Sequence, residues 1–533
     1  MSSQTADPIL GFSIDRDSRK LVLTFITTAF IILGLGGIAA FFVAFTRAPS
    51  IQLLDPYWYY LTLTYHGVMM LTMFPHLFEM GLIIYVATAL LGRKLWSTQL
   101  AWVGYWLVLA GILTIMTAIG MGSSSVMYTM YVPLKADGIF YLGHFVYAVG
   151  LLVEVIVWSM TIVQYKTENP TRSLPLVTYG AGVLVILAVA SILSAVVAVL
   201  PATLWAFRIW VDSVDPMVFK MAFWGMGHTL QYVNVVGMVM AWYMIGAYAH
   251  HSKPVSEKFS RMAFALYTLT TIPVMAHHLI VDPTFTPLYK YLGATAFGFF
   301  LGIPSIMHGL AVPAAVEQAA RQRMRASGET PTVWSFIKRW GWQNPAMILM
   351  AFSVLLFGLG GFDGTMATTV PLNMIFHNTL FITAHFHGTL AAGMAVSYMA
   401  LGYYLLPALG IDIVGRSWTR FQAWCTGIGF TLLIASMHWA AELGVPRRAQ
   451  DITYTHAGAP VPNWFLPMDT LVIGGTLAVV GLLLFVGIAL ASIIRHKPSA
   501  ERHPLRDGLW GEPWVGEKFQ LPGAAAVAAA GDD

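Results

Sequence analysis

The stretch Phe381-Ile382-Thr383-Ala384-His385-Phe386-His387-Gly388 decides how this chain is read, because it sets two histidines inside an apolar run, 374–407, long enough to cross a membrane. At about 100° per residue, helix positions i and i+2 point to nearly opposite sides. Each imidazole therefore faces a different neighbour, and an ionisable residue within a membrane span is a functional-site candidate by default. A helix standing between two metal centres needs this arrangement.

Composition carries the membrane reading to the whole chain. Hydrophobic residues make up 57% and charged residues 10% of 533 residues, with a mean hydropathy of +0.68, beyond what soluble domains show. A spanning helix needs about 20 largely apolar residues. Such runs lie near 22–46, 61–91, 99–121, 139–163, 176–201, 219–249, 259–281, 289–315, 343–362, 374–407, 417–441 and 468–494. The expected fold is an all-α integral membrane protein of about twelve transmembrane helices. Residues 22–494 form its catalytic domain, between an N-terminus (1–21) and a tail (495–533) that are both cytoplasmic.

Lys and Arg concentrate in cytoplasmic loops, which tests this count. Of the 29 Lys and Arg residues, 22 fall on the inner side if the N-terminus is inside. The outer side keeps only Arg47, Lys135, Arg208, Lys220, Lys290, Arg447 and Arg448. The net charge of +4 thus reflects membrane orientation, and no basic motif with interleaved aromatics points to nucleic acid. Membrane lipid is the expected surrounding, in the cell membrane of a prokaryote. The first 20 residues are polar and charged, so no cleavable signal peptide is expected. Cys425 is the only cysteine; it excludes disulfides within the chain and any multi-cysteine copper site.

Sixteen histidines are present. Eleven fall within or beside predicted spans: His66, His76, His144, His228, His277, His278, His308, His377, His385, His387 and His438. A single one reads most simply as a hydrogen-bonded core histidine. As a set they are costly to bury unless they bind metals, pair or line a water path, and imidazole suits iron and copper. In Gly227-His228-Thr229-Leu230-Gln231-Tyr232 the i, i+4 spacing sets His228 and Tyr232 on one face. Adjacent His277 and His278 precede Asp282-Pro283, which ends the seventh span. With His228 they make a three-nitrogen set that suits copper.

Taken in order, several motifs resemble the catalytic subunit I of the heme-copper oxygen reductase superfamily. They are Tyr65-His66-Gly67-Val68-Met69, the Gly-His-x-x-x-Tyr of span six, the His277-His278 pair, Phe376-His377-Asn378-Thr379 leading into Ala384-His385-Phe386-His387, and Val445-Pro446-Arg447-Arg448. The resemblance implies a low-spin heme held by His66 and His387 and a high-spin heme held by His385. It implies one copper ion on His228, His277 and His278, and a redox-active phenol at Tyr232 that is joined to a copper-ligating histidine. Arg447 and Arg448 match a pair that binds heme propionates, a role suited to guanidinium forks, although a charged loop is the plain alternative. His377 is expected near the same propionates or simply at a polar helix entry.

The closest likeness is to B-type oxidases. Leu230 stands where A-type enzymes carry a glutamate two residues after the copper histidine. Span eight reads Gly302-Ile303-Pro304-Ser305-Ile306-Met307-His308, similar to the B-type Pro-Ser-x-x-Thr segment with His308 in the threonine position. Ser305 and His308 share a helical face, and with Tyr243 they are expected to line a proton path from the cytoplasm. Val239 replaces a further tyrosine of that path. His76, Glu79 and Glu154 read equally as satisfied buried groups or as proton-relay groups, and Glu442 as a simple partner for Arg447. Tryptophans and tyrosines read first as interfacial belts, and the methionines as flexible filler.

The implied activity is reduction of O2 to water with proton uptake, the electrons arriving from a cytochrome or cupredoxin through a copper-bearing electron-entry subunit. A nitric oxide reductase of the same superfamily is the alternative. The best-known ones carry glutamate where this chain has Tyr232, which favours O2. A heme-free proton-coupled transporter is the third reading.

Overall fold

The structure, a computed structural model, describes residues 5–6, 13–210, 212–271, 277–455, 458 and 460–495. Most of its helices begin where a side-chain oxygen can cap free backbone N–H groups, and these caps lie just ahead of the apolar runs. Asp15 caps α1 (Arg16–Arg47) and Asp55 caps α2 (Pro56–Thr88). Ser97 caps α3 (Thr98–Gly120) and Asp137 caps α4 (Gly138–Glu168). After α5 (Leu176–Ala206), Asp215 caps α6 (Pro216–His250) and Ser256 caps α7 (Glu257–Thr270). α8 (Pro287–Ala326) follows; Asn344 caps α9 (Pro345–Thr368) and Thr379 caps α10 (Leu380–Ala408). The last two are α11 (Arg416–Glu442) and α12 (Phe465–Ile494).

Ten helices among the described residues are long and apolar enough to span a membrane. α11 reaches 27 residues with arginines in its first turns. α7 covers 14 residues, and the expected span 259–281 falls partly on 272–276, outside the described residues. The all-α reading holds apart from a two-residue antiparallel pair, Thr5–Ala6 with Ser13–Ile14.

Two sequence expectations are corrected. The run 374–407 is not one helix: a short helix, Val370–Phe376, ends at His377, Asn378 turns with φ +61°, and α10 starts at Leu380. The run 289–315 extends further than expected, because α8 continues to Ala326, and Val333–Lys338 forms another turn of helix.

Burial ranks the helices. In α6 and α10, 94% of the apolar central window is buried, and in α2 83%, against 33–56% for the other seven. The inner helices are thus the ones that carry His66, His228, His385 and His387. α2 and α10 each contain a π-helical turn, Met69–Met73 and His387–Ala395. Such turns shift the residues after them around the helix axis and recur at functional sites.

Candidate functional site

His66 on α2 and His387 on α10 face each other across a gap, their ring centroids 6.4 Å apart and their planes 23° from parallel. Two metal–nitrogen bonds of about 2.0 Å and roughly 1.1 Å from each ring nitrogen to its centroid would sum to about 6 Å, so the gap admits one ion between them. His66 Nδ1 meets the Gly36 carbonyl at 3.1 Å and His387 Nδ1 meets the Thr383 carbonyl at 2.9 Å. A ring that donates through Nδ1 presents a lone pair at Nε2. Both rings line a largely apolar cavity bounded by α1, α2, α10, α11 and α12. That is a slot for a flat apolar macrocycle clasped from both faces.

His385 points the other way. Its Nδ1 meets the Gly360 carbonyl of α9 at 2.7 Å. The approach depends on missing side chains: a Cβ on Gly364 would stand 2.8 Å from His385 Cε1, and one on Gly360 would stand 2.9 Å from the Gly388 carbonyl carbon. His385 lies within electrostatic reach of His228 and His278.

His228, His277 and His278 each offer a nitrogen, and these nitrogens lie within 4.8 Å of one another, the one such group among the described residues. His228 Nδ1 is 3.2 Å from His278 Nε2, and the rings of His228 and His277 stand 4.7 Å apart. His228 Nε2 is buried with no protein partner among the described residues. Three close imidazole nitrogens with an orphaned atom form a donor set that fits a copper-like ion. Trp224 stacks flat on His278 at 3.6 Å. Tyr232 leans on His228 with its centroid at 5.2 Å, as the i, i+4 spacing requires.

Arg447 and Arg448 line the same cavity as His66 and His387. The backbone of 445–447 bonds to that of 378–380 through Leu380 N to Val445 O and Arg447 N to Asn378 O, which brings His377 beside both arginines. Burial and the neighbouring Arg448 push the Arg447 guanidinium down to about 9. Neither arginine joins an ion pair among the described residues. Two half-buried guanidiniums without a carboxylate partner among the described residues, lining a cavity, fit an anionic edge of a bound group. Arg47, which sequence reasoning left as an ordinary outer-side charge, lines the same cavity and donates to the Pro446 carbonyl at 2.6 Å. Glu442 is exposed and is in none of these ion pairs.

Below the three-histidine cluster, toward the end of the bundle that carries Arg93 and Lys94, a file of polar side chains joins α6, α7 and α8. The Tyr243 hydroxyl donates to Ser260 Oγ at 2.8 Å and lies 3.2 Å from His308 Nδ1. The Tyr267 hydroxyl is 3.1 Å from Ser305 Oγ, its ring stacks on His308, and its centroid lies 5.6 Å from that of Tyr232. Ser305, His308 and Tyr243 are thus brought together. Tyr267 and Ser260 were missed, since nothing in the sequence of α7 marks them. Asp363 was missed too; its Oδ2 meets His438 Nε2 at 2.9 Å.

The family profile described as "Cytochrome C and Quinol oxidase polypeptide I" matches residues 20–477. Over 504 residues the chain is 29% identical to "Cytochrome c oxidase subunit 1" of Thermus thermophilus, covering 91% of this chain and 87% of that one. Over 455 residues it is 24% identical to "Quinol oxidase subunit 1" of Bacillus spizizenii, covering 81% and 66%. A solved structure described as a heme-copper terminal oxidase dimer matches with a TM-score of 0.82 at 24% identity, over 92% of this chain and 86% of that one. It shares the fold.

Proposed function

The chain belongs to the cytochrome c and quinol oxidase polypeptide I family, and on that premise we propose that it is the catalytic subunit of a terminal oxidase that reduces O2 to water. Membership makes it a membrane-spanning heme-copper oxidoreductase subunit of a family that binds hemes and copper. The transporter reading falls with that.

In this proposal His66 and His387 hold the low-spin heme, His385 the high-spin heme, and His228, His277 and His278 one copper ion. When bound, the heme and copper pair supplies a site for O2 and the electrons that reduce it. The chain's own groups do the remaining work. Carbonyl bonds at Gly36, Gly360 and Thr383 fix the three ring orientations. Arg447 and Arg448 receive the propionates, with His377 beside them. Tyr232 keeps a phenolic proton next to the copper ligands. Protons pass from the basic end, proposed to be cytoplasmic, along Ser260, Tyr243 and His308 to Ser305 and Tyr267, whose ring abuts Tyr232. Electrons enter from the opposite side through a copper-bearing partner subunit fed by a cytochrome or cupredoxin.

The observation that carries O2 over NO is the ring of Tyr232 against His228: a phenol is a redox-active proton donor, whereas a carboxylate in that place would favour non-heme iron. The test is to measure O2 and NO consumption by the purified complex and to look by mass spectrometry for a covalent link between Tyr232 and a copper-ligating histidine. The proposal expects faster O2 turnover and the link. NO turnover far exceeding O2 turnover, with no link, defeats it in favour of a nitric oxide reductase.

A further inference from the structure

On the other side of α6 lies a second group of buried polar side chains that the proton file above does not use. Glu79 of α2 is fully buried. Its Oε1 accepts from the Tyr398 hydroxyl at 2.6 Å, and its Oε2 has no protein partner among the described residues. The Tyr398 oxygen also lies 3.4 Å from the Asn234 carbonyl, and the Asn234 side-chain amide donates to Gln231 Oε1 at 2.9 Å. One turn earlier on α2, His76 Nδ1 meets the Tyr147 hydroxyl at 2.6 Å, while its Nε2 is unpartnered. Asn234 Oδ1 is unpartnered as well. Gly237 makes the room: a Cβ there would collide with the Tyr398 hydroxyl and stand 3.2 Å from Glu79 Cγ.

Helix geometry separates this group from the His308 file. Asn234 and Gly237 lie about 200° and 140° around α6 from Tyr232, whereas Tyr243 returns to the Tyr232 face. The titratable groups facing Glu79 are Tyr398 from α10, Tyr147 from α4 and His76 on its own helix. No Lys or Arg pairs with it among the described residues. One hydroxyl donor does not compensate a carboxylate in an apolar interior, and Oε2 is the oxygen left free to carry a proton. Buried polar atoms without protein partners are served by internal water. A largely apolar cavity that also takes in Thr72, Tyr128 and His144 borders the group at His76 and Tyr147.

We propose that Glu79 is a proton-holding site separate from the His308 file, giving up its proton to internal water and regaining it during each redox cycle. The inference rests on the redox function proposed above. As the proton leaves Oε2, the Tyr398 hydroxyl remains as donor to the carboxylate, and Asn234 and His76 receive the hydration.

The test is redox-difference infrared spectroscopy on the intact complex and on Glu79→Gln, Glu79→Asp and Tyr398→Phe. The expected result is a carbonyl band of a protonated carboxylic acid that shifts in D2O, is lost in Glu79→Gln, moves in Glu79→Asp and moves in Tyr398→Phe, where the carboxyl stays but its donor is gone. A wild-type enzyme that turns over yet shows no such band overturns the proposal, as does a band unchanged in Glu79→Gln. Should Glu79→Gln fail to assemble, Tyr398→Phe decides, and an unchanged band there overturns it. Failure of the underlying function looks different: no heme absorbance, or no turnover of O2 or NO.

Discussion

Replacing Gly360 with alanine tests whether the close approach of α9 and α10 holds the His385 ring. A Cβ at this position would stand 2.9 Å from the Gly388 carbonyl carbon and the Thr389 nitrogen, and 3.0 Å from Gly388 Cα. All three are backbone atoms, so no side chain can swing aside and the helices must part. Overpacking of this kind costs about 1–3 kcal/mol. Parting them also stretches the 2.7 Å bond from His385 Nδ1 to the Gly360 carbonyl, which contributes about 0.5–1.5 kcal/mol. The total, about 1.5–4.5 kcal/mol, corresponds to roughly a 10- to 1600-fold loss of the closed arrangement. Gly358→Ala on the same helix is the control, because a Cβ there meets nothing within 4 Å, and alanine is the better helix former. The assays are thermal unfolding of the purified complex and the carbon monoxide difference spectrum of the high-spin heme. Gly360→Ala should melt earlier and lose spectral amplitude while Gly358→Ala does neither. If the two variants behave alike, the helix contact does not hold the ring.

Two further outcomes follow from the proton-bearing groups. Burial and the nearby Arg447 and Arg448 lower His377 to about 4, although Asp282 opposes them. Between about pH 4 and 6.5 the unfolded chain therefore binds more protons than the folded one, and stability should rise with pH across that window. Melting curves of wild type and His377→Gln over this range check it, the variant showing the flatter profile. His308→Leu should slow O2 turnover by about a hundredfold or more, from the low end of the span of lost general acid–base assistance upward, with heme content unchanged. Undiminished turnover removes His308 from the path.

The helices were legible because apolar runs of spanning length are set by the bilayer. The His228 to Tyr232 relation was legible too, since helical spacing fixes it. Contacts between helices were not. Glu79 and Tyr398 are 319 positions apart, and no periodicity in α2 announces a hydroxyl from α10. Tyr267 was hidden among many tyrosines that serve equally well as anchors. Its hydroxyl joins the proton file through Ser305 and its ring lies against Tyr232 and His308. The break at His377 escaped notice because Val370–Phe376 is apolar, and only the positive φ at Asn378 reveals the turn.

Each of the three rings His66, His385 and His387 is already tethered by Nδ1 to a main-chain oxygen. Rings clamped in this way lose little rotational freedom when a prosthetic group arrives. Little of the binding energy of such a group is then spent on ordering the side chains that receive it.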